Sequence, residues 1–498
     1  GEPIGFRALG RLAGPDTVEG LVRRGIIEVG SDGRREPARL SHPLLAETVR
    51  AGMGAPSRAR HARRLSDALV ERGLRRSQDA LSAAALHLEG DGPSDPDLLT
   101  RAAGEAATFL EGSLAEGLAT EAIRAGAGPE SELLRCRGIE LQGRVPEAAR
   151  ELERLYAAAD GPEMKLRAGL SLGVLHSFQG ERFGIETWDV LGSARSELPE
   201  HLQPVVDAME SELLVWSGRV AQGGALAERA LAAGVPDPEA EAAAAVAAGL
   251  ASSHSNDPGF ALREIPHYAG RAAQAALPGR AAQMSTCVGW ALVMVGRADE
   301  GNALGTETLE SLPPEVALTS VGGLCRSTLG WHQVSAGRPA TAAGLLESGC
   351  ELILAGGDYF GVLRANTALA AQVAALLGTP GREAALLERF AATPGPDVTF
   401  DGELHRARAL IAFANDYTAR GIERAREAAA VGERAGLQLV QVLALHDIVR
   451  NGAPEAALDD LAGVVVGSHP EWLGRHLLEH AEALAERDGR RLGALAGR

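Results

Sequence analysis

The sequence predicts an all-α protein of stacked helical hairpins behind a small mixed N-terminal domain. Alanine is very frequent while aromatics are only 4% of 498 residues, glycines punctuate the chain at near-regular intervals, and the first fifty-odd residues break that pattern. Alanine has the best helix propensity, and its small side chain lets helix axes approach closely. A chain rich in alanine and poor in strand formers therefore reads as packed helices.

Residues 4–53 combine both periods. An apolar helix around Ile4 to Leu12 leads through Gly14-Pro15-Asp16, where Asp16 can cap a second helix that Gly25 stops near Arg24. Ile26-Ile27-Glu28-Val29 and Pro37-Ala38-Arg39-Leu40 flank the turn-rich Gly30-Ser31-Asp32-Gly33 and read as a β-hairpin. A third helix opens at His42-Pro43, since proline suits a first turn whose N–H groups have no intrahelical partner. Helix, helix, hairpin, helix is a winged-helix plan, placed at residues 1–55. Residues 56–95 read as a helical connector with an arginine-rich stretch at Arg58, Arg60, Arg63 and Arg64.

Beyond Ser57 the turn candidates fall at Gly112, Gly143, Gly180, Gly218, Asn256, Gly296, Gly337, Gly378, Gly421 and Gly452, in steps of 31 to 43 residues. Several are Gly-Arg pairs, as expected where one helix ends in left-handed geometry and the next begins. Seven residues before a turn stand Gly173, Gly289 and Gly330; five after it stand Ala148, Gly223, Gly301, Ala342 and Ala457. Small residues at these places let the two helices of a hairpin cross closely. The pattern resembles the tetratricopeptide repeat (TPR), although most of the family's large aromatics are missing and the period exceeds its standard of about 34. The resemblance implies a right-handed superhelix of TPR-like hairpins over residues 96–465, with 466–498 forming a C-terminal helix that leads towards a further domain. An irregular α-domain is the bland alternative.

Composition and motifs exclude several functions. The net charge is -17, with residues 1–76 at +6 (15 Arg against 9 Asp and Glu) and the remainder therefore at -23, so the array would repel a phosphate backbone. Cys136, Cys287, Cys325 and Cys350 lie far apart, which suits buried thiols in a reducing cytoplasm. The longest apolar stretch, Ala242 to Ala251, is too short to span a membrane, and the opening lacks a signal-peptide pattern. Gly1 at the start suggests part of a longer polypeptide. One lysine, Lys165, stands among 49 basic residues, the arginine bias of a GC-rich genome of the actinobacterial kind.

That lysine follows Met164, so there is no G-x-x-x-x-G-K-[ST] phosphate loop. His476-Leu477-Leu478-Glu479-His480 fits H-x-x-E-H, which puts two imidazoles on one helical face beside a carboxylate. A catalytic zinc would need a further ligand downstream, where only 18 residues remain, so a solvated amphipathic helix is the better reading and no metal is expected.

Arg39-Leu40-Ser41-His42-Pro43-Leu44-Leu45 opens the third helix after the hairpin. Here His42 resembles the histidine with which signal-transducing ATPases touch bound nucleotide, although Pro43 stands where that family has an acidic residue. Helix capping is the plain alternative. The order of winged helix, arginine-rich helix and alanine-rich array resembles the large ATP-binding regulators of the LuxR family, downstream of their ATPase core. The resemblance implies ATP or ADP in a full-length parent but no cofactor in this chain. It also implies an ATPase domain in cis, a DNA-binding domain beyond, and no enzyme activity or DNA binding of this chain's own. A free-standing TPR-like scaffold is the alternative.

A protein partner or small effector is expected in the concave groove. Trp290 and Trp331 each stand six residues before a turn glycine, one residue past Gly289 and Gly330, and so about 100° from the close crossing. In the TPR family this position faces the groove. The expectation is that both indoles are accessible there, extended by Val293 and Met294, with a place in the inter-repeat core as the alternative.

Overall fold

A computed structural model gives the structure of all residues except 1–3, 31–36, 75–78, 91–94, 110, 179–190, 193–194, 197, 276, 313, 357–361, 380, 394–400 and 496–498. It divides into two compact units, Gly1–Arg144 and Val145–Arg498.

The first unit opens with β1 (Ile4–Gly5), α1 (Phe6–Ala13), α2 (Pro15–Arg23), β2 (Ile27–Val29), β3 (Pro37–Leu40) and α3 (Pro43–Gly52). The strands form one antiparallel sheet in the order β1-β3-β2, with Ile4 and Val29 both opposite Ala38. The elements fall where the sequence places them, with β1 added; the hairpin turn at 31–33 lies outside the described residues. Val18, Ile27 and Ala38 are buried beneath. Then follow α4 (Ala55–Glu71), α5 (Asp79–Glu89), α6 (Pro96–Thr108), α7 (Gly112–Arg124) and α8 (Pro129–Leu141). Arg64 ties α4 back to α1 by donating from Nη2 to the Leu12 carbonyl (2.6 Å).

The second unit contains α9 (Val145–Ala158), α10 (Pro162–Phe178), α11 (Gln203–Trp216), α12 (Val220–Ala233), α13 (Pro238–His254), α14 (Gly259–Arg263), α15 (Ile265–Gln274), α16 (Pro278–Met294) and α17 (Ala298–Ser311). It continues with α18 (Pro314–Ala317), α19 (Ser320–Ser335), α20 (Pro339–Gly356), α21 (Leu363–Leu377), α22 (Arg382–Ala392), α23 (Asp401–Ala414), α24 (Thr418–Ala435), α25 (Gln438–Arg450), α26 (Leu458–Val465), α27 (Leu473–Ala485) and α28 (Gly489–Leu495). The chain is an all-α array of TPR-like hairpins: α11 packs on α12, α16 on α17, α19 on α20, α21 on α22 and α23 on α24, with α13 joining the first of these pairs to the second.

The expected boundaries at 55/56, 95/96 and 465/466 do not coincide with the division of the chain. One apolar cluster runs from Leu74 through Leu98 to Ala122 and joins the expected connector to the first hairpins. Another joins α25 and α26 to Trp472 and Ala481, so the C-terminal helix belongs to the second unit's core.

Left-handed glycines mark the turns at Gly143, Gly218, Gly296, Gly337, Gly378 and Gly452. Gly421 is a correction: it lies inside α24, and the turn before it is made by Asp416, itself left-handed at φ 61°. Aspartate tolerates that geometry better than most residues. With Asp416 as the turn, the steps from Gly378 and to Gly452 become 38 and 36, and Gly421 takes the small position five residues later. A Cβ on Gly421 would stand 2.5 Å from the Phe413 ring. Gly112 is a second correction, being the buried first residue of α7 rather than a turn; Gly180 lies outside the described residues.

The small positions are close crossings. A Cβ on Gly223 would lie 2.6 Å from the Ser211 carbonyl oxygen, one on Gly301 2.9 Å from that of Gly289, and one on Gly330 2.8 Å from Leu346. Gly223→Ala should therefore destabilise the protein by about 1–3 kcal/mol, because backbone must move. Gly344 lies on the exposed face of α20 with nothing near its Cβ position. Gly344→Ala should instead stabilise by roughly 0.5–1 kcal/mol through helix propensity. Urea midpoints of both variants check the contrast.

Candidate functional site

The inner face of the second unit is built from the first helix of each hairpin. Six residues before the turns stand Glu212, Trp290, Trp331, Gln372, Leu410 and His446. The register that singles out the tryptophans thus also selects three polar side chains.

At its aromatic end, His254 meets Trp290 edge to face with ring centroids 4.5 Å apart, and Trp290 meets Trp331 in the same manner at 6.0 Å. Edge-to-face contact suits rings whose edges are positive and faces negative. Trp331 is 7% exposed, Val293 4% and Met294 0%, and the half-buried Trp290 has its Nε1 buried without an acceptor. These residues share one apolar cluster with Ala409, Leu445, Ile448, Leu461 and Trp472. The expectation of an accessible indole is therefore corrected for Trp331, while Trp290 is half-buried. The rotation from the close crossing does turn them inward, but the array's own C-terminal helices pack against that side.

Beside the aromatic end lies a buried polar layer that sequence reasoning missed. Gln372 Nε2 donates to Glu403 Oε2 (2.6 Å) and to the Glu403 carbonyl (3.0 Å). Arg406 Nη1 donates to Glu403 (3.0 Å) and its Nε to Asp447 (3.1 Å), while Arg450 pairs with the other Asp447 oxygen at 2.9 Å. Burial opposes the Arg406 charge, yet the two carboxylates outweigh it and hold its pKa above the usual value. Burial pushes His254 down to about 4, against the opposing pull of the Leu250 carbonyl and the Glu403 charge. His446 is likewise lowered to about 4, first by burial, and its Nε2 lies 2.9 Å from Nδ1 of His480. The only signal for this layer is the shared register of Gln372 and His446 with the tryptophans.

His480 thus faces α25, while His476 points outward. Among the described residues, no group of three or more His, Cys, Asp or Glu side chains lies close enough to hold a metal ion. The Cys287 and Cys325 thiols are buried and pushed up to about 12, far from a nucleophile's range. In the first unit His42 is exposed, its Nδ1 accepting from the Leu44 N–H (3.3 Å) at the start of α3. It sits as a helix cap with the rest of the imidazole towards solvent. No described helix is long and apolar enough to cross a membrane.

No protein-family model and no curated protein matches the chain. Solved structures do. A Rap protein complexed with competence and sporulation factor is 12% identical, covers 81% of this chain and 99% of its own, and has a TM-score of 0.43. A signal-transduction ATPase with a tetratricopeptide repeat sensor from Pyrococcus horikoshii is 14% identical, covering 93% of this chain and 63% of its own at a TM-score of 0.35. Yeast Tom70 is 11% identical, with 88% and 90% covered and a TM-score of 0.28.

Two outcomes follow from the burial. Trp331→Ala should cost about 3–5 kcal/mol, and acrylamide should scarcely quench the Trp331 indole in a single-tryptophan variant. The depressed histidines set a pH dependence. An unfolded His254 titrates near 6.5 and the folded one near 4, so its contribution is complete above pH 6.5 and lost as pH falls towards 4. The loss should reach ~3 kcal/mol, since a tenfold change in proton affinity is worth about 1.4 kcal/mol. Denaturant titrations at pH 7.5 and 4.5 should show it, and His254→Phe should flatten the slope.

Proposed function

We propose that this chain is the sensor and protein-interaction region of a bacterial transcriptional regulator of the large ATP-binding LuxR class. In this reading the TPR-like array receives a protein partner or small effector, and the N-terminal module, a winged helix, relays that state to an ATPase domain in cis. Its place is the cytoplasm, and it carries no enzyme activity of its own. The observation that carries the reading is the helix–helix–hairpin–helix module in which an exposed His42 opens α3, directly followed in sequence by the arginine-rich α4 and the array. The exposed imidazole is free to meet a phosphate on an apposed domain. The Arg64 contact to Leu12 and the Arg63 ion pair with Asp67 (3.2 Å) give these arginines structural work inside the module rather than a role in reading a DNA groove.

The deciding experiment uses the native protein together with the polypeptide its gene encodes on either side. A P-loop module upstream should bind ADP, and His42→Ala should weaken that binding about tenfold, as loss of one contact worth ~1.4 kcal/mol would. The absence of an upstream P-loop in the gene, or unchanged ADP affinity, would sink the relay and favour a scaffold. The 498-residue chain alone should show no sequence-specific duplex binding at physiological salt by fluorescence anisotropy, since its bulk repels phosphate.

A further inference from the structure

Helices that are neighbours in sequence pack along their length, whereas α12 and α13 meet the C-terminal helices of the second unit at a few points. Gly436, left-handed between α24 and α25, lies against Ala221 so closely that a Cβ there would stand 2.7 Å from the Ala221 Cβ. Helix α13 touches α25. The irregular segment between α26 and α27 reaches the C-terminal end of α13, where the His469 N–H donates to the Asn256 carbonyl (2.9 Å).

That segment, Ser468-His469-Pro470-Glu471-Trp472, is held as a bound peptide would be. Arg475 clamps its backbone, donating from Nη2 to the Ser468 carbonyl (2.8 Å) and from Nε to the His469 carbonyl (3.1 Å). The Trp472 indole is 0% exposed within the cluster that holds Trp331, Val293 and Met294. Glu471, beside it, is exposed. The fit is incomplete: Ser468 Oγ and Trp472 Nε1 are both buried without a hydrogen-bond partner. Such atoms favour an opened state in which they are solvated or paired.

We propose that Ser468–Trp472 is a built-in strap that closes the inner face of the array and yields it to an extended peptide presenting an aromatic residue. The strap's own Trp472 is the template for that ligand, its ring occupying the apolar cluster that holds Trp331. The proposal holds whether or not the array serves a regulator, because it concerns only what the inner face accepts.

The test uses the full chain and a dye-labelled peptide of residues 467–476. Arg475→Ala removes the clamp without removing apolar surface, and should bind the peptide at least tenfold more tightly than the unaltered protein in anisotropy titrations. Arg475→Lys, which keeps the charge but lacks the rigid fork that places two nitrogens on the two carbonyls, should fall between the two. A peptide carrying Trp472→Ala should not bind. Hydrogen exchange of Arg475→Ala should rise at residues 468–472 and 290–294 while α11 and α12 stay protected. Equal peptide affinity for the unaltered and Arg475→Ala proteins, or loss of protection throughout the second unit, would overturn the strap.

Discussion

The close approach of backbones inside each hairpin is the constraint from which the second unit follows. Gly301 lies against the Gly289 carbonyl, and Gly223 against that of Ser211, leaving no room for even a methyl group. Helices that meet this closely pack through backbone and short side chains, which is why the core can be built so largely from alanine. Between successive hairpins Gly289 and Gly305 likewise sit against His332 and Leu329. On the inner face α25, α26 and Trp472 join the aromatic side chains of α16 and α19 in one apolar cluster.

Closing the inner face places polar groups where water is scarce, and the two ends of that face handle this differently. Around Arg406 the chain supplies a matched set: Glu403 and Asp447 balance Arg406 and Arg450, and Gln372 takes up a further Glu403 lone pair. A buried cation missing any of these partners would be strongly unfavourable. At the aromatic end the matching is poorer. Trp290 Nε1 and Trp472 Nε1 are both buried without acceptors, and His254 stays neutral because burial outweighs the nearby Glu403 charge. The polar layer therefore rigidifies the closed array, and the aromatic end is its least satisfied part.

Much of this is legible in the sequence because turn and crossing chemistry is local. A glycine that must be left-handed, and small residues five after and seven before it, are visible without knowing which distant helix packs nearby. Gly421 shows the limit of the same logic. It has the look of a turn and is the crossing residue, while the true turn uses Asp416, whose left-handed geometry leaves no glycine to see. The tryptophans depart from expectation for a longer-range reason. Their angular position is legible, but what lies opposite depends on the curvature accumulated over several hairpins, which no single window of sequence encodes. The ion pairs of Arg406 escape in the same way, since Asp447 is 41 residues away and the pairing exists only once α23 and α25 are side by side.

The first unit poses the opposite problem, because its informative residues are the exposed ones. His42 caps α3 through the Leu44 N–H, and Leu44 and Val49 on the same helix are themselves largely exposed. Capping requires only a side-chain acceptor, which serine, threonine, asparagine or aspartate supplies more commonly. A capping role alone thus does not select histidine over those residues. What histidine adds is a second ring nitrogen, and here Nδ1 is engaged with the backbone while the ring stands in solvent beside exposed apolar side chains. The cap thus fixes the direction of the ring while the rest of the imidazole stays in solvent.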